Sequence, residues 1–245
     1  MSAKNHAESD HTQGGDLSNH HVVITGGTGQ LGTGVTQAFL DLGAQVHIPA
    51  FNEREVERFA LSAHERVHIT PGINLTDEQS VVKFYSALPS LWASVHLAGG
   101  FAMSSLGETS KDDFMQQINM NAVTTFLCCR EAAAKMNNNA GRIINVAARP
   151  ALEPRSAAGM VAYSASKAAV SAMTQALAEE LKDKNILVNA VVPSILDTQT
   201  NREAMPDANF ADWPKIDEVA ATIVFLASTQ NRVTTGSLVK VYGRS

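Results

Sequence analysis

From residue 21 onward the chain alternates between short apolar runs and longer stretches in which apolar residues recur every three or four positions. The run at 21–25 (HVVIT) has the continuous apolar character of a strand buried on both faces. In residues 30–42, Leu31, Val35, Phe39 and Leu42 fall at helical spacing, and Gly43 is placed to end that helix. The same reading predicts strands at 44–50, 67–70, 93–98, 141–147, 186–192 and 237–241, and helices at 53–64, 76–88, 111–137, 162–182 and 217–228. Strands alternating with helices of this length predict an α/β domain. Its parallel sheet of about seven strands carries helices on both faces, and right-handed crossovers give a doubly wound order. The long irregular stretch 194–216, with two prolines, Phe210 and Trp213, is expected to be a functional loop, often a lid.

Residues 1–19 break the pattern. They are rich in Ser, Asn, His, Asp and Gly and bury too little apolar surface to offset ordering entropy. A disordered polar tail is predicted over 1–19 and a single domain over 20–245. His6, His11, His20 and His21 match no metal-ligand spacing, so no metal site is predicted. A net charge of −5 argues against nucleic acid or an anionic membrane surface as partner. No apolar run approaches the ~18 residues of a membrane span, and no basic region followed by an apolar stretch opens the chain. Cys128 and Cys129 are adjacent, make no disulfide framework and read as packing residues. The expectation is a cytoplasmic protein.

The first strand runs directly into Thr25–Gly26–Gly27–Thr28–Gly29–Gln30–Leu31–Gly32, which contains Gly27-x-Gly29-x-x-Gly32. Glycine clusters mark turns everywhere, and a plain strand-to-helix turn is the bland alternative. Here the cluster follows a strand and opens a helix, the context in which glycines let backbone approach a pyrophosphate at a helix N-terminus. A second constellation is Tyr163-Ser-Ala-Ser-Lys167, whose four-residue separation puts phenol and ammonium on one helix face. A lysine beside a phenol favours the phenolate and is expected to lower the Tyr163 pKa toward working pH, as proton transfer to an alkoxide requires.

Together these residues resemble the short-chain dehydrogenase/reductase family, over essentially all of 21–245. The resemblance implies a Rossmann fold, NAD(P)-dependent hydride transfer on a small carbonyl or alcohol, and Tyr163, Lys167 and Asn121 as the catalytic set. The glycine turn resembles Thr-Gly-x-x-x-Gly-x-Gly, with Gly26 and Gly32 in place and Gln30 at the middle glycine. Asn74–Leu75 resembles the family's adenine-side turn, and Ala98–Gly99 the end of its Asn-Asn-Ala-Gly strand, with His96 and Leu97 at the asparagines. Here His96 reads as a strand-packing residue. Pro193, Ile195 and Thr198 resemble the segment beside the nicotinamide, with Ser194 replacing a glycine.

One departure stands out. The family's usual catalytic serine corresponds to Ala148, preceded by Ala147, and Ser156 is the hydroxyl of the following loop. Quinonoid dihydropteridine reductases also lack this serine and keep the Tyr/Lys pair. They resemble this chain at Gly26–Gly32, Ala98–Gly99–Gly100, Gly159–Met160, Leu196–Asp197–Thr198 and elsewhere. Reduction of a quinonoid ring therefore stands as an alternative, as does a non-catalytic dinucleotide sensor.

The second strand ends Ile48–Pro49–Ala50–Phe51–Asn52, with no acid at its tip to select NAD. Asn52 and Arg54 are taken as binding residues on this side, Arg54 as a possible cation for a 2′-phosphate, and NADP is favoured slightly over NAD. Phe101, Met103, Met160, Met205, Phe210 and Trp213 are candidates for an apolar cleft or for core. Small residues on helices 111–137 and 162–182, such as Ala132, Ala133, Ala134, Ala168, Ala169 and Ala172, fit the close packing of a homodimer or homotetramer that the resemblance implies.

Overall fold

The computed structural model describes residues 16–136 and 140–245. Seven strands form one sheet: β1 His21–Thr25, β2 Gln45–Pro49, β3 Val67–Thr70, β4 Ala93–His96, β5 Gly141–Val146, β6 Ile186–Pro193 and β7 Leu238–Val241. Every pairing is parallel and the order is β3-β2-β1-β4-β5-β6-β7, the doubly wound arrangement with its switch point between β1 and β4. Alternate residues of β1 separate the two cores. Val22 and Ile24 join Val35, Phe39 and Ile223 on one face, while Val23 joins Val81, Leu127 and Ile186 on the other.

The helices are α1 Gln30–Asp41, α2 Glu53–Arg58, α3 Glu78–Ser86, α4 Lys111–Gln117, α5 Thr124–Lys135, α6 Arg149–Leu152, α7 Val161–Glu180, α8 Gln199–Ala204 and α9 Ile216–Ala227. Several bounds differ from the sequence pattern. The helix expected over 53–64 stops at Arg58 because Phe59 leaves helical geometry, at ψ 115°, with its side chain buried in the core. The helix expected over 111–137 is interrupted by a π-helical turn, Ile118–Val123, which contains Asn121. Apolar spacing does not register a single inserted residue of this kind. The lid stretch 194–216 holds α8 and a 3-10 turn, Phe210–Asp212.

The predicted disordered tail does not reach residue 19. Leu17 is fully buried against the first core and its N–H donates to the Leu42 carbonyl at 2.9 Å. A single apolar side chain in a polar run supplied the anchor. His6 and His11 lie outside the described residues. His21 and His47 share a hydrogen bond of 2.8 Å, and His47 stacks on His68. Among the described residues no three potential ligands converge on a metal position, and no helix is long and apolar enough to cross a membrane.

Candidate active site

A groove crosses the C-terminal edge of the sheet at the switch point. Its first part, a cavity of about 680 Å³, is lined by the glycine turn, Pro49, Phe51, Glu55, Asn74, Leu75, Ala98 and Gly99. Gly26 has φ +66°, and a Cβ there would stand 2.8 Å from the Ala98 nitrogen, so β1 and β4 can meet only if residue 26 is glycine. A Cβ on Gly32 would fall 2.2 Å from the Gly26 carbonyl oxygen. The turn closes on Gly29, the N-cap of α1, where no side chain caps the helix. Its first N–H groups face the groove with the positive end of the helix dipole behind them, a cradle that fits a dinucleotide's diphosphate.

The sequence-derived cofactor residues divide. Gly26, Thr28, Gly29, Gln30, Leu31, Gly32, Asn74, Leu75, Ala98 and Gly99 line this cavity. Gly27 instead packs toward Ile48, where a Cβ would approach to 2.9 Å. Asn52 caps α2 by accepting from the Glu55 N–H at 3.1 Å. Neither it nor Arg54 lines the cavity. The expectation that no acid stands at the tip of β2 is corrected. The first turn of α2 returns the Glu55 carboxylate there, accepting from the Phe51 N–H at 3.0 Å and the Thr28 hydroxyl at 3.5 Å. A helix N3 carboxylate reaching back toward main-chain N–H groups is a known capping habit, so the acidic first turn was the available signal.

The second part, about 610 Å³, shares Leu31 and Leu97 with the first and continues past Tyr163, Lys167, Pro193 and Ile195. Thr198 lies outside both linings and caps α8 by accepting from the Asn201 N–H at 3.2 Å. Phe101, Met160 and Met205 line this part, whereas Met103 is exposed, Trp213 is buried and Phe210 packs on Trp213. Val146, Ala147 and Ala148 form its back wall, without a side-chain donor. Ser156 lines it too, but its hydroxyl donates to the Glu153 carbonyl at 2.8 Å.

Tyr163 and Lys167 both project from α7 into this cavity. The ring edge of Phe101 meets Tyr163 at 5.0 Å between centroids. Lys167 donates to the Val146 carbonyl at 2.8 Å, and burial lowers its pKa to about 8. The expected lowering of the Tyr163 pKa is not what the pocket produces. Burial pushes it up to about 12, because desolvation disfavours the phenolate.

Asn121 is fully buried and ties three elements together. Its Oδ1 accepts from the Gly100 N–H at 3.1 Å, and its Nδ2 donates to the Gly100 carbonyl at 3.0 Å and to the Ser166 hydroxyl at 3.1 Å. Gly100 is thus held by Asn121 and is not part of the groove lining. A Cβ on Gly99 would stand 2.5 Å from Asn121 Oδ1 and 3.5 Å from Lys167 Nζ, which measures how closely that turn approaches the catalytic helix. His96 lies inside the core, bonded to Ser94 and Asn145 at 2.8 Å each, with burial lowering its pKa to about 4. Cys128 and Cys129 are buried and unpaired, and burial raises both thiols.

Comparison with known proteins adds four findings. The family described as short chain dehydrogenase matches residues 20–209. A 3-oxoacyl-[acyl-carrier-protein] reductase FabG from Rickettsia bellii is 29% identical over 237 residues, covering 93% of this chain and 97% of the relative. A (2S)-[(R)-hydroxy(phenyl)methyl]succinyl-CoA dehydrogenase subunit BbsD from Thauera aromatica is 30% identical, covering 93% and 96%. Among solved structures, ElxO with NADP bound superposes with a TM-score of 0.82 at 27% identity, covering 91% of this chain and 97% of that one.

Proposed function

The chain belongs to the short chain dehydrogenase family and is an NAD(P)-dependent oxidoreductase; on that premise we propose that it reduces a small carbonyl compound, with Tyr163 as the proton donor. The observation that carries this reading is the convergence of Tyr163 and Lys167 on an apolar cavity continuous with the glycine cradle. The NADP-bound state of ElxO supports NADP(H) as the cofactor form.

When bound, the nicotinamide supplies the hydride that reaches the carbonyl carbon. The residues of this chain handle the oxygen. With its pKa raised to about 12, Tyr163 carries its proton at neutral pH, so it can donate it to the carbonyl oxygen as the C–O bond becomes single. Lys167, one helical turn along α7 on the same face, places a positive charge beside the phenolate that forms. Phe101, Met160 and Met205 give the cavity an apolar wall against which the substrate's carbon skeleton can pack. Asn121 holds the Gly99–Gly100 turn against α7 and so fixes the gap between the two parts of the groove. In the reverse direction Tyr163 must first lose its proton, so alcohol oxidation rises with pH toward that value while carbonyl reduction does not.

A second reading, reduction of a quinonoid ring, is favoured by the donor-free wall of Ala147 and Ala148. We further propose a homo-oligomer of cytoplasmic location. The half-buried or exposed Ala133, Ala168, Ala169 and Ala172 support close helix packing between copies, and two unpaired buried thiols suit a reducing compartment. The test is oxidation of NADPH and NADH against a panel of ketones, aldehydes and quinonoid dihydropterin, with Tyr163→Phe alongside. Turnover should fall by about 10²–10⁴-fold in the variant on a carbonyl substrate, with cofactor affinity unchanged. Undiminished turnover on every active substrate would remove Tyr163 from the mechanism.

A further inference from the structure

The catalytic cavity has a charge pattern that its apolar wall conceals. The residues with a charged side chain that line it are Lys167 and Arg149, and no Asp or Glu lines it. Arg149 directly follows Ala148 and lines the cavity one residue from that wall. Its orientation is fixed from two sides. Nε donates to the Glu153 carboxylate at 2.6 Å, one turn along α6, and the guanidinium lies over the Tyr242 ring at 5.0 Å. Glu153 also faces Lys240, at 3.4 Å, so one carboxylate is shared between two cations and the group keeps a net positive charge. Neither Nη of Arg149 has a hydrogen-bond partner among the described residues.

A guanidinium held by its Nε edge and by its face, with both Nη groups free of protein partners among the described residues, is a preorganised receptor for a carboxylate. We propose that Arg149 binds the carboxylate of an oxo-acid substrate, with the ketone one or two carbons away lying against Tyr163; this rests on the reductase reading above and narrows its substrate class. Ala148 fits the same picture. With the carboxylate anchored by charge-assisted bonds, orientation of the ketone is set from the neighbouring group, and a hydroxyl at residue 148 is not needed for it.

The test compares acetoacetate with methyl acetoacetate, and pyruvate with methyl pyruvate, on wild type, Arg149→Ala and Arg149→Lys. The wild type should favour each acid over its ester in kcat/KM. Arg149→Ala should raise KM for the acids about ten- to hundredfold, the loss expected for bonds to a charged group, and leave the esters unchanged. Arg149→Lys should restore part of the preference. A wild type that treats acid and ester alike, or an Arg149→Ala variant that loses activity equally on both, would overturn the proposal. Calorimetry of acetoacetate binding to the NADP+ complex separates the two layers of inference. Arg149-dependent binding without turnover supports the anion site and counts against the reductase reading. Ester turnover without any acid binding overturns the anion site and leaves the reductase reading standing.

Discussion

In the dinucleotide half of the groove the surface offered to a ligand is main chain: the loop from Gly26 to Gly32, the uncapped start of α1 and the Ala98–Gly99 turn. In the catalytic half it is side chain, with Tyr163, Lys167, Arg149, Phe101 and Met160 drawn from α6, from α7 and its N-cap, and from the loop after β4. The two halves tolerate change differently. A backbone surface requires the absence of atoms, so nearly any substitution at a close-approach glycine obstructs it. A side-chain surface can exchange one donor for another and still bind something, so the donor-free wall at Ala148 leaves room for other lining residues to orient a ligand.

The largest effect is therefore expected in the first half. In Gly26→Val the new Cβ meets the Ala98 nitrogen at 2.8 Å, at a backbone angle that β-branched residues avoid. NADPH and NADH binding should be lost together, measured by calorimetry. The thermal midpoint without cofactor, compared with wild type, tells obstruction from unfolding. Gly32→Ala is the milder companion, its Cβ directed at the Gly26 carbonyl. Retained affinity in a folded Gly26→Val protein would show that the cradle is not the diphosphate site.

Ala148→Ser comes next and probes the second half. The residue is buried in the back wall and extended in backbone, so a hydroxyl fits the conformation. One well-placed donor to a developing oxyanion is worth about 10²–10³ in kcat when removed from a mature site; installed in an unadapted one it should yield roughly tenfold on simple ketones. On a quinonoid ring, where aromatisation already drives the reaction, the serine should add little. Steady-state kinetics on both substrate types decide between the readings. On an oxo acid held by Arg149 the gain should be smaller than on a neutral ketone.

The contrast also explains what the sequence disclosed. Strand runs, helix spacing and the glycine turn are local patterns with strict steric meaning, and the sheet order follows from them through crossover handedness. Tyr163 and Lys167 were legible because a four-residue separation fixes a shared helix face. Glu55 was not, since its carboxylate reaches the β2 tip only through the turn that α2 makes at Asn52. Arg149 was missed for a related reason. Residues 149–152 form a single helical turn too short to leave a periodic trace, and the contact with Tyr242 joins positions far apart in the chain. Leu17 shows the same limit at the other end, where one buried side chain outweighed a polar neighbourhood.

The smallest effect concerns Glu55, the one carboxylate in the main-chain half. Its Oε2 accepts from Phe51 N–H and stands 3.5 Å from the Thr28 hydroxyl, on the adenosine side of the cradle. A 2′-phosphate entering there meets a negative charge, whereas an unmodified ribose meets an acceptor for its hydroxyl. Glu55→Gln keeps an oxygen for the Phe51 N–H and removes only the charge, so the fold of the β2–α2 turn is preserved. Two charges a few ångströms apart in wet surroundings repel by about 1 kcal/mol, roughly fivefold in affinity. The ratio of NADPH to NADH affinity should therefore rise about fivefold in Glu55→Gln, whichever form the wild type binds better. Arg54→Ala, outside the cavity lining, should leave the ratio nearly unmoved. Calorimetric titration of both cofactors at two salt concentrations reads the effect, since a charge-charge origin predicts a smaller shift at the higher one. An unchanged ratio in Glu55→Gln at both would place the adenosine ribose away from α2.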